Sequence, residues 1–188
     1  VKGEVILYSS SAAENSQESD RYRSSIFTFH FINALRGCGD VSRDGRVTLN
    51  EAYQYSYRHT VASTAQSAGG VQHPGYQFRI QGEGDFVLSD PGTRSHKVVF
   101  GPGVQGHLTI VDRGGGLVVD FLKESEEPVM VALTPGDYRV IRLKGQNRSA
   151  TEATVTRNSV TRIEESKFVP LSAHHARAKG PSPPRLAL

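Results

Sequence analysis

The chain has 188 residues, a formal net charge of +3, 37% hydrophobic and 22% charged residues, a composition that builds one medium core or two small ones and is neither disordered nor fibrous. No stretch approaches the roughly 18 consecutive apolar residues of a membrane span. The single cysteine, Cys38, excludes an internal disulfide framework and a Cys-rich zinc site, and leaves the compartment open. Residues 1–90 hold eight Lys/Arg and ten Asp/Glu, residues 91–188 fourteen and nine. The basic residues of the second part alternate along strand-like segments, and nucleic acid is therefore not expected as a partner, because its electrostatic footprint needs clustering. The first residue is Val1, with no signal peptide. We expect a fragment or processed piece of a longer polypeptide whose targeting information is elsewhere.

Residues 4–8, EVILY, are a short continuous apolar run, the pattern of a strand buried on both faces of a parallel sheet. Residues 9–23 are polar and serine-rich and read as a loop. In SIFTFHFINALRG, Phe27, Phe31 and Leu35 recur at four-residue spacing before Gly37, which predicts a buried helix with a glycine stop. The polar segment 40–51 leads to a second helix over about 49–61, with Thr48 and Glu51 at capping-box spacing. Gly69-Gly70 and Pro74-Gly75 break the chain, and YQFRI and DFVL follow as strands around the turn GEGD. Strand, helix, helix, strand is an α/β grammar.

After Asp90-Pro91-Gly92 the pattern changes to short strands separated by turn clusters: HKVVF, HLTIV, LVVDFLK, PVMVAL, YRVIRLK, TEATVT and VTRIEE. This predicts a small all-β sandwich. The expected organisation is an α/β unit over 1–90, a linker at 91–95, a β-sandwich over 96–171 and a disordered tail over 172–188.

The run VILYSSSAAENSQES…RSSIFTFHFINALRG resembles the small-subunit region of the caspase and metacaspase superfamily. In that region a strand ending in two serines leads into a substrate loop and then a helix. The continuation GCGDVSRDGRVTLNEAYQY…QHPGYQFRIQGEGDFVLSD is similar to bacterial caspase-like proteins, which place an aspartate-rich DG turn between the helices. The resemblance implies that residues 1–90 are the C-terminal part of a caspase-like α/β domain, with the catalytic histidine and cysteine on strands before Val1. The chain alone is then inactive, and its partners are the preceding part of that domain and a protein or peptide substrate. A thiolate activated by imidazole would attack the peptide carbonyl. Cys38, in RGCGD at a helix end, reads as a structural thiol, His30 as a packing residue, and His59 and His73 lie too far along the chain to match the family's histidine.

The substrate residues carried over by the resemblance are Ser10, at the end of the strand, and Ser16, Gln17 and Glu18. The last three align with a Ser-Trp-Arg whose arginine grips a substrate aspartate in caspases. A carboxylate at Glu18 reverses that charge, repelling an acidic side chain and attracting Arg or Lys. From the residues themselves, Glu18 reads equally as a solvated loop group.

No cofactor is required by this chemistry. Calcium is the one ion the spacing of loop 40–51 suits: Asp40, Ser42 and Asp44 at positions one, three and five, Gly45 at the turn, the Arg46 carbonyl, then Thr48 and Glu51 at nine and twelve. Arg43 and Arg46 weaken the site, and Glu51 has a structural role as cap. In the second part, VALTPGDYRVIRLKG resembles the PEGA-like or carboxypeptidase-regulatory-like β-domains of bacterial surface and secreted proteins, which implies a binding or spacer role. His107 and His174-His175 lack partners at metal-ligand spacing. The rival to the peptidase reading is a non-catalytic pseudo-peptidase or protein-binding module.

Overall fold

The computed structural model describes residues 2–81 and 85–171. The expected tail over 172–188, and the GEGD turn apart from Asp85, lie outside them. The chain opens with β1 (Lys2–Tyr8), then a loop carrying the two-residue strands β2 (Glu18–Ser19) and β3 (Ser24–Ser25). It enters α1 (Ile26–Asn33), which continues as a π-helical turn over Ala34–Cys38. β4 (Val47–Thr48), α2 (Leu49–Thr64), β5 (Gly75–Gln81) and β6 (Val87–Ser89) complete the first unit.

The capping box and the glycine break read from the sequence are in place, and a serine cap joins them. The Ser25 hydroxyl accepts from the Thr28 N–H at 3.2 Å and caps α1. Gly37 breaks the helical backbone at φ 119° within the Ala34–Cys38 turn, and its lack of a side chain also lets the Met130 carbonyl approach. Thr48 and Glu51 form a reciprocal capping box at the start of α2. The first helix is not buried all round, since Thr28 and Ile32 face outward.

The parallel-sheet expectation for EVILY is corrected. β1 pairs antiparallel with β5, Val5 opposite Phe78, in a two-stranded sheet. Its burial alternates: Val5 and Leu7 are half-buried, while Ile6 and Tyr8 are 42% and 40% exposed. A continuous apolar run is covered on both faces only when layers pack above and below it. Among the described residues one face of β1 is covered, and no strand pairs with its other edge.

The second unit is built from β7 (Lys97–Phe100), β8 (Gly106–Asp112), β9 (Leu117–Lys123), β10 (Val129–Ala132), β11 (Gly136–Lys144), β12 (Asn147–Val155), β13 (Val160–Ile163) and β14 (Val169–Pro170). They form a three-stranded sheet, β10-β7-β13, and a five-stranded sheet, β14-β12-β11-β8-β9. Alternate residues of both sheets share one core: Val98, Phe100, Val131 and Ile163 from the first, Leu108, Ile110, Val119, Phe121, Tyr138 and Val140 from the second. The buried Arg142 guanidinium is satisfied by the Ser149 hydroxyl and Glu165 and lies over the Phe168 ring, 4.3 Å from its centroid.

The two units are in close contact. β9 and β10 are the edge strands of their sheets, and the first unit packs along both. Arg36 donates to the Val118 carbonyl on β9, and Cys38 packs against both cores. The connecting segment is held as well: the Gly92 N–H donates to the Gly45 carbonyl at 2.7 Å and Pro91 is buried.

Candidate functional site

The loop between β1 and α1 is fastened along its length. Gln72, fully buried, donates its side-chain amide to the Ser9 carbonyl and accepts from the Gln17 N–H at 2.9 Å. The Gln17 side chain donates to the Gly70 carbonyl at 2.7 Å, and its own carbonyl accepts from the Ile26 N–H. Further out, Glu14 accepts from the His73 N–H at 2.7 Å and pairs with His73 Nδ1 at 2.6 Å. These bonds, the backbone one first, hold the Glu14 carboxyl at about 2. Its pKa is depressed on folding, so this clasp is whole above the ordinary value of 4.5 and is lost as pH falls towards 2. Amide shifts of Gln17 and His73 in an acid titration are expected to move together with an apparent midpoint well below 4.5; a midpoint at the ordinary value contradicts the clasp.

The four residues proposed to meet substrate have different surroundings. Gln17 is committed internally, as described. Ser10 is half-buried and Ser16 exposed, and neither hydroxyl is bonded among the described residues. Glu18 is exposed; its backbone pairs with Ser25, and its carboxylate has no partner among the described residues.

Arg21 leads to a group that sequence reasoning missed. Asp120, in the middle of β9, is buried on the outer face of the five-stranded sheet. Its carboxylate accepts from Thr109 Oγ1 at 2.8 Å, directly opposite on β8, and lies 3.1 Å from His107 Nε2 and 3.1 Å from Arg21 Nη2. Tyr22 sets the approach of Arg21 by stacking on Phe29 at 4.3 Å. A carboxylate within the apolar run LVVDFLK needs partners when buried, and that was the available signal; the partners lie 99 residues away at Arg21 and across a hairpin.

Burial raises the carboxyl pKa, but the hydrogen bonds and charges of His107, Thr109 and Arg21 overcome it, so Asp120 titrates below its ordinary value. The same Asp120 hydrogen bond raises His107. The Asp120 share of stability is present above about pH 3.8 and lost on acidification; the His107 share is full below about 6.5 and lost as pH rises through its raised value. The cluster is therefore strongest between those limits. Asp120→Ala is expected to destabilise by about 1–2 kcal/mol, near the surface-pair range because Arg21 and His107 regain solvent. Denaturant unfolding at pH 5.5 and pH 8.5 checks this: the loss is larger at the lower pH, and an equal loss at both contradicts the His107 link.

Loop 40–51 carries left-handed backbone at Arg43 and Gly45, φ 62° and 83°. Asp40 accepts from the Gly45 N–H at 3.1 Å and Asp44 from the Arg46 N–H at 2.8 Å. Glu51 is occupied by the cap, taking Thr48 N–H at 3.0 Å and Ser42 N–H at 2.9 Å. Burial, with Glu51 and Asp44 adding like charge, holds Asp40 above its usual range. Among the described residues no group of three or more His, Cys, Asp or Glu side chains gathers at metal-holding distance.

Two further groups are set aside from nucleophilic chemistry. Burial pushes the Cys38 thiol up to about 12, so it is protonated at neutral pH. His30 is buried, lies 3.0 Å from the Ser63 hydroxyl and stacks on His59, but its Nδ1 is unpartnered and burial lowers it to about 4. Among the described residues none bonds that Nδ1 to orient the ring as a general base. No helix is long and apolar enough to cross a membrane among the described residues. No family model, curated protein or solved structure matches this chain.

Proposed function

We propose that the chain is the substrate-loop half of a caspase-like cysteine endopeptidase with an accessory, PEGA-like β-unit, and that the polypeptide cleaves after Arg or Lys. The observation that carries this reading is Glu18. The loop around it is fastened at Glu14, Gln17 and Arg21, yet its own carboxylate is exposed and unused internally. Asp20 and Arg23 are also exposed and unpaired among the described residues, and Glu18 is singled out from them by its place next to the fastened Gln17; a held loop that presents a carboxylate outward suits a specificity determinant. In this reading the thiolate and imidazole come from a segment N-terminal to β1, whose edge without a partner strand is where neighbouring strands add. The test is cleavage of fluorogenic Arg and Lys peptides by the polypeptide containing both parts. A neighbouring segment without a His and a Cys at the ends of successive strands overturns it.

The second reading is a non-catalytic protein-binding module. It differs from the first only in the neighbouring segment, because Cys38, free and half-buried, is a structural thiol in both.

Calcium at loop 40–51 belongs to the same proposal. Asp40, Ser42, Asp44 and the Arg46 carbonyl supply oxygens, and Glu51 joins them only by releasing its cap, so the affinity is low. Millimolar calcium is expected to raise the melting temperature through linkage, and Asp44→Ala to abolish the rise. An unchanged melt makes the loop a helix connector.

A further inference from the structure

The outer face of the three-stranded sheet is covered at one end and open at the other. Across it runs a row Met130, Val99, Arg162, with Val99 opposite both neighbours, and beside it a row Ala132, Lys97, Val160. At the β10 end Met130 lies beneath the close approach of Gly37 and Gly45. Towards β13 the first unit lifts away, leaving a cleft of about 670 Å³ between the turn at Val41 and the strand at Val160. This volume is within the ordinary range of ligand sites. Val41 and Val160 are 65% and 45% exposed, large apolar groups facing one wedge.

The charges at the rim are unequal in availability. Arg43 pairs across the mouth with Glu127 at 3.5 Å, and the Lys97 ammonium donates to the Gly92 carbonyl. The Arg162 guanidinium has no ion pair or hydrogen bond among the described residues. An occupant thus meets apolar side chains, the Asp40 carboxylate engaged by the Gly45 N–H, and in Arg162 a cation with no partner among the described residues. Among the described residues β13 is also an edge strand, paired with β7 alone, and its alternate residues Val160 and Arg162 line the cleft. An extended chain laid against such an edge presents alternate side chains to the same face.

We propose that this cleft is a docking site for an extended peptide segment in which apolar residues flank a carboxylate, the apolar side chain seated between Val41 and Val160 and the carboxylate on Arg162. The proposal is independent of the peptidase reading, since it uses neither Glu18 nor a catalytic dyad. A direct test is an amide and methyl NMR titration of the full chain with an equimolar mixture of pentapeptides, acetylated and C-terminally amidated, carrying Val, Leu, Ile or Phe on both sides of a central Glu. Shifts centred on Val41, Val99, Met130 and Val160 are expected. They should weaken by about tenfold with the corresponding Lys peptides and with Arg162→Glu, because like charges meet at the rim. Arg162 is exposed, so an unchanged melting temperature of Arg162→Glu separates lost binding from lost fold. Four outcomes overturn the proposal: no shifts at millimolar peptide, shifts centred elsewhere, Lys peptides binding as well as Glu peptides, or octanoate producing the shifts while the peptides do not.

Discussion

Residues 1–90 expressed alone are expected to lose the cooperative melt that residues 1–171 show, while residues 91–171 keep theirs. The asymmetry follows from the two cores. Among the described residues the β-unit closes fourteen buried residues between two sheets, whereas the helical unit's own cluster is Ala34, Val47, Ala52 and Tyr55, with Ile26, Phe27, Phe29 and Leu49 buried outside it. A core of that size buries little apolar area against the conformational entropy of ninety residues. What completes it comes from the other unit: the Val118 carbonyl that receives Arg36, the Asp120 carboxylate that receives Arg21, and the apolar surface against Cys38. Separation also exposes Met130 and the edges of β9 and β10, so the 91–171 fragment is expected to fold but to associate at high concentration. Adding the N-terminal neighbour segment to 1–90 is expected to restore a cooperative melt in the peptidase reading, because it covers Ile6 and the free edge of β1. Calorimetry of the three fragments decides the matter. A monomeric 1–90 that melts sharply within a few degrees of 1–171 contradicts this account of the core.

Local signals in the sequence carried well. Thr48 and Glu51 form the capping box read for them, Gly37 breaks the helical backbone where a stop was expected, and every strand expected from residue 96 onward is present; the Ser25 cap was not read. Those features depend on neighbours within a few residues. The π-helical turn at Ala34–Cys38 was missed, because it forms where the helix end is drawn against β10, a contact nearly a hundred residues away. The direction of β1 was misread because EVILY reports apolarity and not which strand lies beside it. Of the candidate site, the loop and the free carboxylate of Glu18 were legible. The clasps of Glu14, Gln17 and Arg21 were not, since Gln72, His73 and Asp120 show their role only when folding brings them to the loop.

The largest functional effect is expected at Glu18. In the proposed peptidase, an ion pair of Glu18 with a substrate Arg or Lys in a partly desolvated pocket would contribute roughly 1–3 kcal/mol, about ten-fold to a hundred-fold in discrimination. Glu18→Gln keeps the shape of the loop and removes the charge, so it is expected to lower kcat/KM for basic substrates within that range. Glu18→Arg should impair them further, because it reverses the charge, without creating a good aspartate enzyme. Neither substitution is expected to shift the melt, as the Glu18 side chain has no internal partner among the described residues. An Arg preference unchanged in Glu18→Gln transfers the pocket's charge to the N-terminal neighbour segment.

The most direct measurement is a peptide-library cleavage profile of the polypeptide containing both parts of the domain. Cleavage dominated by Arg and Lys, with almost none after Asp, is the predicted result. A profile dominated by Asp, or no cleavage of any peptide by a well-folded protein, contradicts the account.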